Sequence, residues 1–136
     1  MTTEHTQDIL VEFNNLTKLT WLQLGDKQIS DLKPLAHLVN LITLDLWDNQ
    51  ISNIESLGSL KNLKNLYLQR NQISDIKPLA SLINLKTLVL DNNQISDIKP
   101  LVSLTKLEHL YLRNNQVSVT DITWLQNKLS KCYIRT

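Results

Sequence analysis

One cysteine, two glycines and three prolines are spread over 136 residues, and each scarcity excludes something. The single thiol, Cys132, rules out an internal disulfide and leans toward a reducing compartment. With glycine only at Gly25 and Gly58, there is no glycine-rich loop to cradle a phosphate. There is no charge excess either: fourteen basic against thirteen acidic residues leave +1. That balance argues against a nucleic-acid partner, whose backbone demands concentrated basic surface. No basic stretch followed by an apolar run opens the chain, so no signal peptide is visible. No apolar run approaches the length of a membrane span, which excludes helical insertion. The expected location is the cytoplasm, or the cell exterior if a leader has been removed.

What the chain has in abundance is leucine at fixed intervals. Aligned at Leu19, Leu41, Leu63, Leu85 and Leu107, four near-copies of one unit and a closing half-copy emerge. Each reads leucine, two variable residues, leucine, one variable, leucine, two variable, then asparagine, glutamine and isoleucine or valine. Such a unit cannot bury its apolar edge alone and must stack on its neighbours. Leucines two apart, such as Leu66 and Leu68, point to one side of an extended chain. Stacked in parallel, these segments make a narrow sheet with one buried face.

The remainder of each copy must return the chain. In two copies it reads Ser-Asp-Ile-Lys-Pro-Leu. Ser74 and Asp75 can satisfy free N–H groups at the start of a short turn. Pro78 and Pro100 sit where a missing N–H costs little, and Ile76, Leu79 and Leu82 point inward. Too few residues remain for a long helix, so a 3₁₀ turn is expected. The fold class is therefore α/β. Asn49, Asn71, Asn93 and Asn115 occupy one fixed place after the strand, where their amides can form a ladder from coil to coil; Lys27 stands there in the first copy. Gln28, Gln50, Gln72, Gln94 and Gln116 follow, and read as a second stacked hydrogen-bond row.

The chain divides into 1–18, a partial repeat or cap; 19–118, the repeats; and 119–136, a C-terminal cap; all form one domain. Ile9, Leu10, Phe13 and Leu16 fall at helical spacing and could cover the first coil. Residues 120–129 read as a helix capped by Thr120 or Asp121, with Ile122, Leu125 and Leu129 on one face and Trp124 in the core. Cys132-Tyr133-Ile134 reads as a last strand with Cys132 and Ile134 inward, placing the natural C-terminus close to Thr136.

Over residues 16–117 the pattern Leu-x-x-Leu-x-Leu-x-x-Asn-x-Ile, followed by Asp-Ile-x-Pro-Leu-x-x-Leu, resembles the leucine-rich repeat family. The period and the Pro-Leu return resemble the subclass found in bacterial internalins and in a phosphatase-1 regulatory subunit. The resemblance implies a right-handed solenoid, its parallel sheet concave, its short turns convex, its function the gripping of proteins.

On that sheet the residues flanking the inward leucines point outward and vary between copies. They form three rows. Trp21, Thr43, Asn65, Thr87 and His109 make one; Gln23, Asp45, Tyr67, Val89 and Tyr111 the next; Gly25, Trp47, Gln69, Asp91 and Arg113 the third. With strands about 4.8 Å apart, five of them span roughly 20 Å, enough for a partner's helix or loop. Exposed tryptophan, tyrosine and arginine form a hot-spot composition. Gly25 leaves room beside Trp47, and Tyr67 lies diagonally within aromatic reach of it. Trp47, Tyr67 and Tyr111 are the expected anchors; Arg113, Asp91 and Asp45 orient, with Asp91 and Arg113 read as a surface ion pair. The expected partner is a protein or peptide bound by a monomer. The alternative is a scaffold or self-assembling fragment of a larger regulatory or surface protein, associating through its N-terminal end.

Enzyme chemistry finds no support. His5, His37 and His109 fall in the tail, on a return turn and on the sheet, so they cannot share a metal. Cys132 reads as an inert buried thiol. No cofactor is expected.

Overall fold

The computed structural model describes residues 17–136, so Ile9, Leu10, Phe13 and Leu16, and the cap expected of them, lie outside the described residues. The described chain is a stack of coils. Strands β1 (Trp21–Gln23), β2 (Thr43–Asp45), β3 (Asn65–Tyr67), β4 (Thr87–Val89), β5 (His109–Tyr111) and β6 (Tyr133–Arg135) form one sheet. All pair in parallel, in chain order. The register aligns equivalent positions of every copy: Leu22, Leu44, Leu66, Leu88 and Leu110 lie side by side, and Ile134 continues the row.

Four 3₁₀ turns carry the chain back: η1 (Lys33–His37), η2 (Glu55–Ser59), η3 (Lys77–Ser81) and η4 (Lys99–Ser103). Proline opens three of them at a position whose N–H a helix leaves unused. An acceptor two residues upstream holds each start: Asp31, Asn53, Asp75 and Asp97 receive the N–H groups of Lys33, Glu55, Lys77 and Lys99 at 2.9–3.0 Å. Asp75 does this alone; Ser74 is exposed and takes no part.

The core runs between sheet and turns as one continuous column. Leu44, Leu46, Leu66, Leu68, Leu88 and Leu90 are fully buried beneath the sheet, as are Leu57, Leu79 and Leu101 inside the turns. Full burial of each such side chain contributes about 1.5–3 kcal/mol. At the first coil Leu22 and Leu24 rise only to 6% and 5% exposure.

Three hydrogen-bond ladders tie coil to coil. In the first, Oδ1 of Asn49, Asn71, Asn93 and Asn115 accepts the N–H of Ile29, Ile51, Ile73 and Ile95 in the preceding coil at 2.9–3.0 Å. Nδ2 of each donates to two leucine carbonyls, one in its own coil and one in the coil before. Lys27, which replaces asparagine in the first coil, donates its backbone N–H to Asn49 Oδ1 at 3.0 Å. On the convex side, Ser59, Ser81 and Ser103 donate Oγ–H back to Ala36, Gly58 and Ala80. Ahead of the strands, Asn40, Asn62 and Asn84 donate to the carbonyls of Thr17, Val39 and Lys61. The glutamine row differs from expectation. Gln28, Gln50, Gln72, Gln94 and Gln116 have exposed side chains. The stacked bonds there are backbone ones, from N–H of Gln50, Gln72, Gln94 and Gln116 to Ile29, Ile51, Ile73 and Ile95, all at 2.8 Å.

The far end is closed by helix α1 (Val119–Lys128). Its N-cap is Ser118, two residues before Thr120 and three before Asp121, which the sequence suggested; the Ser118 hydroxyl accepts the Asp121 N–H at 3.1 Å. Serine three residues before an acid is the arrangement that suits a helix start. Leu125 and Leu129 are buried, with Ile122 and Trp124 packed partly against the core. Gln126 Nε2 donates to Cys132 O at 2.9 Å, joining α1 to the approach of β6. Among the described residues no helix is long and apolar enough to cross a membrane.

Candidate binding face

All-parallel sheets ordinarily have both faces covered. Here one face packs on the core and, among the described residues, no element covers the other. The three outward rows lie side by side as the register dictates: Trp21, Thr43, Asn65, Thr87 and His109, then Gln23, Asp45, Tyr67, Val89 and Tyr111. Beyond the strand ends the ladder continues, with Asp26, Asp48, Arg70 and Asn92 donating backbone N–H to Trp47, Gln69, Asp91 and Arg113 at 2.8–3.0 Å. The third row is therefore stacked as well.

Exposure across this face is uneven. Trp21, Gln23, His109 and Arg113 are exposed; Asp45, Trp47, Asn65, Tyr67, Gln69, Val89, Asp91 and Tyr111 are half-buried. Trp47 is sheltered because its indole lies over Gly25. A Cβ placed at Gly25 would meet Trp47 Nε1 at 1.9 Å. The vacancy at Gly25 is thus occupied by the ring rather than left beside it.

The rings group differently from the sequence expectation. Among the described residues, ring contacts join His109, Tyr111 and Tyr133, and Trp47 and Tyr67 are not a pair. His109 stacks near-parallel to Tyr111 at 6.4 Å, and Tyr133 stands edge-on to both, at 6.3 and 6.4 Å. Tyr133 pairs with His109 in the β5–β6 register. It belongs to the face, as does Arg135, and the alternation that turns Cys132 and Ile134 inward carried that information.

Polar groups on the face are held by backbone. Asp91 is no ion-pair partner of Arg113; its Oδ1 accepts the Arg113 backbone N–H at 2.8 Å. Asp45 does the same for Trp47 at 3.2 Å. Partial burial pushes the Asp45 carboxyl above its ordinary pKa, while hydrogen bonds from the Trp47 backbone and the Gln23 side chain pull it back. Asn65 Nδ2 reaches Thr43 Oγ1 at 3.2 Å. Gln69 Oε1 is buried and has no hydrogen-bond partner among the described residues.

A fourth row borders the face. Asp26, Asp48, Arg70, Asn92 and Asn114 all have φ between 54° and 61°, the left-handed region. Asp and Asn tolerate it; arginine pays for it. Arg70 leans toward Asp48 with Nε–Oδ1 3.8 Å, and Asn114 donates to Asn92 at 2.8 Å.

Among the described residues no three His, Cys, Asp or Glu side chains cluster to hold a metal ion. Cys132 is buried, and burial pushes its thiol pKa up to about 11.

The leucine-rich repeat family model, two copies to a unit, matches twice, over residues 39–81 and 83–127. No curated protein matches the chain significantly. Among solved structures, it is similar to internalin C2 of Listeria monocytogenes, with 43% identity and a TM-score of 0.85, covering 91% of this chain and 54% of that one. An internalin F of the same species shows 32% identity and a TM-score of 0.77, over 92% of this chain and 43% of that one. A leucine-rich repeat protein of Leptospira interrogans shows 31% identity and a TM-score of 0.84, over 92% and 33%. The chain thus spans about half the length of the first of these relatives and less of the others.

Proposed function

The chain belongs to the leucine-rich repeat family, and from that premise we propose that it is a protein-binding module whose bare sheet face captures a segment of a partner protein. One observation carries the reading: a parallel sheet left uncovered on the side where ring and charged side chains vary while the inward leucines do not. Trp21 and Trp47 supply apolar area at one end of the face. Tyr111 and Tyr133, with His109, supply it at the other. Tyr67 lies between them. Because Trp47 rests on Gly25 and the three C-terminal rings brace one another, these groups lose little side-chain freedom on binding, which favours affinity. Asp91, fixed by the Arg113 backbone N–H, retains an oxygen to orient the partner, Asp45 is already held by the Trp47 backbone and the Gln23 side chain, and Arg113, exposed and without an ion pair among the described residues, can meet an acid.

The test is capture of a partner by the intact chain and by a Trp47→Ala/Tyr111→Ala double variant. Hot-spot truncations cost about 2 kcal/mol or more each, close to 30-fold in affinity apiece. The double variant should lose the partner while Lys77→Ala/Lys99→Ala, on the convex turns, keeps it. Equal capture by both variants would refute the assignment of the face.

A further inference from the structure

A second surface runs along the leading edge of the sheet, where the chain enters each strand, and it differs in chemistry from the concave face. There a groove of about 590 Å³ is lined by Lys18, Lys64, Ile42 and the three ladder asparagines Asn40, Asn62 and Asn84, with Thr20. Among the described residues it contains no acid. The backbone stacks Ile42, Lys64, Lys86 and Glu108 one above another, each N–H donating to the carbonyl before it from Lys64 onward at 2.8 Å. Lys64 and Lys86 therefore project side by side, about one strand spacing apart. Lys61 and Lys106 flank them. Lys106 Nζ is held by Asn84 Oδ1 at 3.0 Å. Lys18, Lys61, Lys64 and Lys86 make no ion pair among the described residues. Lys128 and Lys131 lie farther along, beside Thr105 and Leu107, and the whole chain carries only +1.

Lys18, Lys64 and Lys86 repel one another, and the row meets its first acid only at Glu108, stacked beyond Lys86, so the part of the strip around Lys18, Ile42 and Lys64 favours an anion that enters. Two features narrow the choice of anion. Each asparagine amide spends one of its two N–H groups on the preceding coil, and the carbonyl oxygens of Asn40 and Asn62 receive no donor among the described residues. An acceptor row seeks N–H groups, which a polypeptide backbone supplies and a polyphosphate does not. Ile42, 38% exposed where the next coils carry lysine, offers an apolar contact in the middle of the charge.

We propose that this edge is a docking strip for an acidic stretch of polypeptide carrying an apolar side chain: lysines take its carboxylates, Asn40 and Asn62 its backbone N–H groups, and Ile42 its apolar group. The strip is separate from the concave face, and its assignment does not depend on what that face binds. The edge across five coils is about 20 Å long, which accommodates roughly six residues of extended chain.

The test is fluorescence anisotropy with the full chain and a labelled peptide of roughly ten residues, alternating glutamate and serine around a central leucine. Binding is expected at low salt and should weaken as salt rises. Lys64→Glu/Lys86→Glu should weaken it at least about tenfold, because two attractions are lost and two repulsions are added, each modest alone but together exceeding the roughly 1.4 kcal/mol that a tenfold change needs. Lys77→Glu/Lys99→Glu should not. Ile42→Ser should weaken the leucine peptide and leave a leucine-free version unchanged. All these side chains are exposed, and circular dichroism verifies that each variant is folded. Three results would overturn the proposal: no binding at low salt; equal competition by polyphosphate of the same charge, marking a mere counter-ion surface; or loss of peptide binding on Trp47→Ala but not on the lysine reversals, placing the peptide on the sheet face instead.

Discussion

Replacing Asn71 by alanine removes one rung of the asparagine ladder, and the geometry sets both the size and the location of the damage. Asn71 Oδ1 accepts the Ile51 N–H at 3.0 Å, and its Nδ2 donates to the carbonyls of Leu46 and Leu68 at 3.0 and 3.1 Å. The two carbonyls are not orphaned. Leu46 O still receives Asn49 Nδ2, and Leu68 O still receives Asn93 Nδ2. The Ile51 N–H, in a fully buried residue, has no substitute. One unsatisfied buried donor costs about 1–3 kcal/mol, and for domains near this size each kcal/mol lowers the melting temperature by about 2–8 °C. The same change at Asn115 should cost less, because Asn115 is only half-buried and water can reach the Ile95 N–H it leaves behind. Chemical denaturation of both variants measures the difference. Amide hydrogen exchange locates it: Ile51 should exchange faster in Asn71→Ala, while Ile73, held by Asn93 Oδ1, should keep its protection. Equal losses at the two sites, or unchanged exchange at Ile51, would refute the reasoning.

Gly25→Ala should evict the Trp47 indole, since the new methyl carbon would lie 1.9 Å from Nε1; a tryptophan emission shift absent from a Trp47→Phe/Gly25→Ala control reads this out. Arg70→Asn should raise stability by about 0.5–1 kcal/mol in denaturant titration, because asparagine tolerates φ 61° better and an exposed ion pair contributes little. Cys132, with its thiol pushed up to about 11, should resist iodoacetamide at pH near 8 when folded and react readily in denaturant. Asp45 carries a raised folded pKa, so the folded chain holds that proton to higher pH than the unfolded chain. Its contribution to stability therefore falls as pH rises from the ordinary carboxylate range through the raised value. Asp45→Asn keeps an acceptor for the Trp47 N–H and has no such fall. Melts should show the variant's advantage largest at neutral pH and vanishing in acid.

The coil was legible because its signal repeats: Leu66 and Leu68 mean little alone, but the same pair in every copy fixes strand, register and buried face together. The 3₁₀ turns followed from Pro78 and Pro100 and from the short distance left to return. Side-chain bonds to backbone were harder to foresee. Asp91 and Arg113 look like an ion pair by charge, yet the carboxylate finds a nearer donor in the backbone. Ser59, Ser81 and Ser103 also repeat, as do Asn40, Asn62 and Asn84, and equal spacing was the available clue to both of those ladders. The helix cap was misread because Val119, 82% exposed, does not look like a first helical residue. Tyr133 escaped the face because the last strand follows a helix instead of a turn, so it falls outside the repeat alignment. The left-handed row at Asp26 through Asn114 is a backbone property, and Arg70 hides it.

Since the Asn49, Asn71, Asn93 and Asn115 rungs repeat the same donors and acceptors at four successive joints, a gene that lost or duplicated one inner unit would encode a chain whose asparagine seams still match. The two ends of the concave face would then draw together or move apart by one strand spacing, about 4.8 Å, with nothing else rebuilt. The tryptophans near the start and the ring trio near the finish thus sit on a scale with discrete settings, so unequal recombination can retune the reach of the protein without a single point substitution.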